Sequence, residues 1–176
     1  MGGWNDEKFH EDELVWHPVV NQLFWAIKLD DVLIDGVSTG YCTQEAANCT
    51  VAPDSGTSYL TFPEGHYSLL EDGGFTERAS CTLENFISGK ELTYVINGVN
   101  YVLPAHHWTS RTVDESNADG GSCAPVISQL DADQPGLDDM HIVGDLFMEL
   151  WYTIHDHEND QVGFAPAIHD LDEILE

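Results

Sequence analysis

The chain has 176 residues, 42% of them hydrophobic, with 32 Asp and Glu against 5 Lys and Arg, a formal net charge of -27. That length and apolar content suit one domain with a core of its own and exclude disorder of the whole chain. So few cations exclude nucleic acid and anionic membrane surfaces as partners, because phosphates need basic groups to neutralise them.

A surface this acidic repels itself at neutral pH, and protonating carboxylates relieves the repulsion. An acidic working environment fits, as does a salt-tolerant acidic surface. The first 16 residues are polar and acidic, punctuated by Trp4, Phe9 and Trp16. They have neither the basic start nor the apolar stretch of a signal peptide, so a secretory targeting segment is expected outside this chain. No apolar run approaches the ~20 residues of a membrane helix.

Residues 24–29 and Val32-Leu33-Ile34 are short β-prone runs, and Asp30-Asp31 between them reads as a tight turn. Asp35-Gly36 closes the second run. Pro63-Glu64 opens one or two helical turns over residues 66–70, which Gly73-Gly74 ends. Residues 92–103 hold two β runs around Asn97-Gly98, the signature of a hairpin with a type I′ turn. Residues 110–124 are polar and Gly-rich and read as a surface loop; residues 131–139 read as an acidic loop. A short helix from about Gly144 leads into a strand over 151–155. The chain turns at Glu158-Asn159-Asp160 and returns through Val162-Gly163-Phe164. The acidic tail, 169–176, reads as a frayed helical turn. Short strands separated by turn signals, with no repeat and no linker, point to a single all-β domain over 1–176.

The four cysteines, Cys42, Cys49, Cys81 and Cys123, form no CxxC pair and lack zinc spacing. An even count in a β-rich chain suggests disulfides and an oxidising compartment, with three pairings open. Asn48-Cys49-Thr50 has the spacing of a rare glycosylation sequon. His106-His107 and the pair His155 and His157 invite a metal reading, but exposed polar residues are the simpler expectation. Trp16, Trp25 and Trp151 are expected in the core.

Asp54-Ser55-Gly56-Thr57-Ser58 carries the chemistry. A bare Asp-Ser-Gly is a turn signal. In this context it resembles the second Asp-Thr/Ser-Gly-Thr-Ser motif of pepsin-like aspartic proteases. Ordered matches accompany it. Gly2-Gly3 with Pro18-Val19 looks like the entry into that family's C-terminal lobe, and Phe24-Trp25-Ala26-Ile27 resembles its aromatic-Trp-x-Ile strand. Cys42 and Cys49 flank a small loop before the motif, slightly longer than the family's, and Cys81 and Cys123 match the lobe's second disulfide. Ile142-Val143-Gly144-Asp145 resembles the element threaded beside the active loop. Residues 151–154 and 162–165 resemble the terminal hairpin.

The resemblance implies a pepsin-like acid protease lobe with short helical turns. It implies two aspartates sharing one proton across a pseudo-twofold axis, Asp54 being one of them, with no metal and no cofactor. Ser55, Gly56 and Thr57 would support the active loop, and Phe24 and Ser58 would line the substrate site. Asp145 and Asp156 are expected to be structural. The partners implied are a protein or peptide substrate and either a complementary N-terminal lobe or a second copy of the chain. The compartment implied is secreted or lysosomal/vacuolar and acidic. Two departures stand out: only one such motif is present, and Pro53 replaces the usual aliphatic residue, removing a backbone donor before Asp54. The readings that remain are half of a two-lobed enzyme, a homodimeric protease of the retroviral kind, and a non-catalytic pepsin-like binding protein.

Overall fold

The computed structural model describes residues 3–45, 47–114, 117–130 and 137–169. Gly2 of the expected lobe entry, residues 131–136 of the acidic loop and residues 170–176 of the tail lie outside the described residues.

After a 3-10 turn at Glu11–Glu13, β1 (Val15–Asn21) pairs antiparallel with β2 (Ala26–Ile34), which turns through β3 (Val37–Ser38). Then come β4 (Thr50–Pro53), β5 (Leu60–Phe62), α1 (Glu64–Asp72), β6 (Ala79–Ser80) and α2 (Leu83–Ile87). The hairpin β7 (Leu92–Ile96) and β8 (Val99–Leu103) leads to α3 (Ala105–Trp108). β9 (Thr109–Asp114), β10 (Asn117–Pro125), β11 (Ile127–Gln129) and β12 (Met140–Val143) follow. The last elements are α4 (Asp145–Met148), β13 (Trp151–Asp156) and β14 (Gln161–Pro166). The main sheet runs β11-β5-β12-β4-β2-β1-β14-β13, with β3 and the β7-β8 hairpin attached through β2. The all-β expectation holds, with short peripheral helices.

β2 organises the sheet. Its first half pairs with β1 and β4, its second with β7. The expected tight turn at Asp30-Asp31 is absent: the strand runs straight through. Leu29 faces Ile96 and Asp31 faces Val95, so Asp30 is an extra residue bulged out of the ladder. Its carboxylate is satisfied locally, accepting from Lys28 Nζ at 2.6 Å and from the Gly98 N–H at 2.7 Å. Burial raises the Asp30 pKa, but these donors and Lys28's charge outweigh it, so the net direction is down. The hairpin at Asn97-Gly98 forms as read, with φ 47 and 78, and Asp35-Gly36 (φ 53 and 74) turns β2 into β3 by the same chemistry.

The second correction concerns residues 110–124. They are not a loop: β9 and β10 form a hairpin that β6 extends into a three-stranded sheet. The strands are polar because they lie at the surface, and the Cys81–Cys123 disulfide ties β10 to the α2 side. A Cβ at Gly121 would stand 2.4 Å from the Thr112 carbonyl oxygen, so glycine here permits close strand approach rather than marking a loop.

The core gathers around β2, β5, the β7-β8 hairpin and β14: Ile27, Leu29, Val32, Phe62, Tyr94, Tyr101 and Phe164 are all buried. Phe147 of α4 closes it, its ring centroid 5.2 Å from that of Phe164 and 6.0 Å from that of Tyr94. Trp25 and Trp151 pack against this core half-buried, and Trp16 is half-buried as well.

Candidate functional site

The site follows from one topological fact. β4 and β5 are consecutive in sequence but not adjacent in the sheet, because β12 lies between them. β12 runs parallel to β4 (Val143 beside Pro53) and antiparallel to β5 (Val143 beside Leu60). The loop 54–59 must therefore arch over the end of β12, and the chain leaving β12 passes beneath it. The Asp54 N–H donates to the Val143 carbonyl at 3.0 Å, the Gly144 N–H to the Tyr59 carbonyl at 3.2 Å, and the Asp145 N–H to the Thr57 carbonyl at 2.9 Å. Backbone bonds thus lace the loop to the threaded segment, which leaves no room for a side chain at 144.

The Asp54 carboxylate is held on both sides. Oδ1 accepts from the Gly56 N–H at 2.9 Å and Oδ2 from the Thr57 hydroxyl at 2.7 Å. The Thr57 N–H donates to the Asp54 carbonyl at 3.1 Å, closing the turn. Asp54, Ser55, Gly56 and Ser58 are exposed, Thr57 half-buried. The result is an ionisable group fixed in direction yet open to solvent, as a carboxylate that must meet a substrate or a second carboxylate has to be.

Pro53 does not disturb this. At the two ends of β4, the Thr50 N–H bonds the Asp139 carbonyl just before β12 at 3.1 Å and the Asp54 N–H bonds the Val143 carbonyl. Alternate residues face β12, so position 53 is out of phase, and its missing N–H points toward β2, whose register with β4 covers Val51 and Thr50.

Phe24 is half-buried against Ala26, Ala52, Leu137 and Met140, which places it in the same cluster as a residue two positions before Asp54. Both disulfides pair as the resemblance implies, Cys42–Cys49 and Cys81–Cys123. A cleft of about 900 Å³, lined by Leu23, Lys28, Asn48 and Asp138 among others, opens at the Thr50 end of β4, away from Asp54. Asp145 is exposed and its backbone, not its carboxylate, ties the loop; Asp156 caps the last turn, accepting from Asn159 and Gln161 side chains, bonds that hold its pKa below the usual range. His155 and His157 are exposed and present their rings edge-on to Trp25, at 5.1 and 6.0 Å. His107 is half-buried, 3.8 Å from Glu149. Among the described residues the one group with metal-like proximity is Cys42, Cys49 and His141, within 4.8 Å, and both sulfurs there are spent on the disulfide.

The eukaryotic aspartyl protease family model matches residues 1–167. The chain belongs to that family. Gastricsin of Mus musculus is 32% identical over 173 residues, covering 94% of this chain and 41% of gastricsin. Gastricsin of Homo sapiens is 29% identical, with the same coverage of 94% and 41%. Cathepsin E-B of Xenopus laevis is 29% identical over 176 residues, 96% of this chain and 40% of that protein. The chain therefore spans about two fifths of the length of these aspartyl proteases.

Two features of this aspartyl protease chain escaped the sequence reading. His17 is buried, its Nε2 2.6 Å from the Tyr101 hydroxyl and its Nδ1 3.2 Å from Asn97 Nδ2. Burial pushes its pKa down to about 4, opposed by the charge of Asp30. His66 and His141 are likewise buried and bonded to each other at 2.7 Å. The available signal was a histidine within an apolar strand pattern, Met140-His141-Ile142-Val143, which alternation alone leaves ambiguous.

Proposed function

We propose that this chain is the C-terminal lobe of a pepsin-like aspartic endopeptidase and that Asp54 is its contribution to the catalytic dyad. The observation that carries the reading is the doubly bonded, exposed Asp54 carboxylate on a loop laced to β12. Two carboxylates brought face to face cannot both ionise, so a pair shares one proton, as in pepsin, the type case. The ionised member acts as general base on a water between them. The protonated member donates to the scissile carbonyl and then helps protonate the leaving nitrogen. No covalent intermediate forms.

In this mechanism Gly56 and Thr57 orient Asp54, and Ser55, exposed beside it, reaches the facing lobe. Ser58 and Phe24 border the substrate. The substrate is a protein or peptide in extended form, with apolar residues flanking the cleaved bond. The second aspartate comes from a complementary N-terminal lobe, and the working compartment is acidic, secretory or lysosomal.

The test is cleavage of an unfolded protein in the acidic range by the chain alone and by the chain mixed with an N-terminal lobe, with and without pepstatin. Pepstatin-sensitive cleavage only in the mixture supports the reading. Cleavage by the chain alone, rising with the square of its concentration, replaces it with a homodimeric protease. No cleavage in either case leaves a non-catalytic relative.

A further inference from the structure

Behind the Asp54 loop, α1 and β12 meet through two imidazoles. His66 Nδ1 and His141 Nε2 are 2.7 Å apart, and both side chains are buried. A gap of that length holds one proton, donated by one ring and accepted by the other, and burial favours the state in which both rings are neutral. A further proton would go to the bare outer nitrogen of the donating ring, leaving the shared bond in place but setting a positive charge inside the core.

Among the described residues no carboxylate is bonded to either ring. The Tyr41 ring stacks on His66, centroids 4.7 Å apart at 14°. Phe62 of β5 meets both imidazoles edge-on, at 5.1 and 5.4 Å. The Cys42–Cys49 disulfide lies beside His141. The nearby carboxylates are Asp139 and Asp138, and both act on Tyr41. Asp139 is already engaged: Oδ1 accepts from the Tyr41 hydroxyl at 2.8 Å and Oδ2 from the Asn48 N–H at 3.0 Å. Burial pushes the His66 pKa down to about 4. Burial, and then the like charge of His66, take His141 well below its ordinary value, with the backbones of Thr50 and Asp139 opposing.

His141 also stands two residues before Val143, whose carbonyl holds the Asp54 N–H, and three and four before Gly144 and Asp145, whose N–H groups hold the loop carbonyls. The pair thus clamps the helix that follows β5 to the strand that threads the loop between β4 and β5.

We propose that the His66–His141 pair positions the Asp54 loop and sets an acid limit on it: as neutral rings joined by one hydrogen bond the pair fixes β12 against α1, and the buried charge that a further proton brings releases the grip of β12 on the loop. The consequence for catalysis rests on the proposed aspartic protease reading; the consequence for the loop does not. Neither histidine touches substrate, so both are positioning residues. The expected behaviour is a loop held most firmly at neutral pH and loosened as pH falls from about 6.5, where a freed imidazole takes up its proton, to about 4, where the buried His66 does.

Amide exchange followed by NMR on the full chain tests this, corrected for intrinsic rates, between about pH 6 and pH 3.5. The wild type should lose protection at the Asp54, Gly144 and Asp145 amides by about tenfold or more, the loss levelling off where the His66 and His141 ring nitrogens titrate in the folded chain. The amides of Tyr94 and Tyr101 should stay better protected than the loop amides at every pH, which separates the local opening from global unfolding. In His66→Gln/His141→Gln, where two amides can share a hydrogen bond without titrating, the step should vanish. If that variant does not fold, a wild-type loss of protection that precedes ring titration and levels off at it decides. Protection that is flat with pH, rings that titrate near pH 6.5 without loss of protection, or an unchanged step in the folded double variant would each overturn the proposal. None of these readouts needs protease activity, so a failure of the protease reading remains distinguishable from a failure of this one.

Discussion

Gly144 packs against Thr57 so closely that a Cβ on Gly144 would stand 1.9 Å from the Thr57 carbonyl oxygen and 2.7 Å from that of Tyr59. Those atoms are backbone on a loop already bonded to the Gly144 and Asp145 amides. They cannot give way without breaking the lacing. Gly144→Ala should therefore destabilise the chain by about 3 kcal/mol, the upper part of the range for overpacking. Urea unfolding measures it, and a loss below about 1 kcal/mol would show that the loop adapts.

The Thr57 hydroxyl donates to Asp54 Oδ2, and Thr57→Val removes that donor while keeping the shape. In a complete two-lobed enzyme kcat should fall about 10- to 100-fold, the kinetic equivalent of one hydrogen bond to a charged group. Thr57→Ser should restore most of it. Equal activity of the Val and Ser variants would mean that the Gly56 N–H alone aligns the carboxylate.

The two disulfides close loops of different size, with sequence separations of 7 for Cys42–Cys49 and 42 for Cys81–Cys123. On the chain-entropy account the longer loop stabilises by about 4 kcal/mol and the shorter by about 2.4 kcal/mol. Paired Cys→Ser variants compared by thermal unfolding should show the larger loss at Cys81 and Cys123. The reverse order would mean that packing of Cys49, buried beside His141, outweighs loop closure.

Acid should weaken the fold even though its net charge is -27 at pH 7. His17 and His66 both have folded pKa values lowered to about 4 by burial, against 6.5 unperturbed. Below pH 6.5 the unfolded chain binds protons that the folded chain refuses, so stability falls with pH until the folded pKa is reached. Each site contributes up to about 3 kcal/mol to that fall. Asp30 and Asp156, whose pKa values are lowered, lose their contribution in the same direction but only below their ordinary value of 3.8. Relief of carboxylate repulsion has the opposite sign and is spread over a screened surface. Urea midpoints should thus be lower at pH 4 than at pH 7. A higher midpoint at pH 4 would mean that surface repulsion dominates.

Where local chemistry dictates geometry, the sequence was legible. Asn97-Gly98 and Asp35-Gly36 supply positive φ, and Pro63-Glu64 with Gly73 brackets α1. Asp30-Asp31 misled because an acidic pair has turn chemistry, whereas the ladder on both flanks of β2 keeps the strand continuous and the donors of Lys28 and Gly98 absorb the bulged carboxylate. Residues 110–124 misled because a surface hairpin held by its ladder and one disulfide needs little apolar alternation. The Asp54 loop was legible as a motif, but its lacing joins residues far apart in sequence, Tyr59 to Gly144 and Thr57 to Asp145, and only the fold brings them together. The buried histidines were illegible for the same reason, since a partner for His66 75 residues away leaves no local mark.

The most direct test of the central claim is Asp54→Asn in the chain paired with an N-terminal lobe, with cleavage of an unfolded protein measured in acid beside the wild type. The side chain is exposed and the substitution is isosteric, so the folded structure should persist in near-UV circular dichroism. The account predicts that pepstatin-sensitive cleavage seen with wild type falls by about a thousandfold or more, because an amide cannot share or accept the dyad proton. Cleavage that survives in Asp54→Asn at near wild-type rate would contradict it and place the chemistry elsewhere in the molecule.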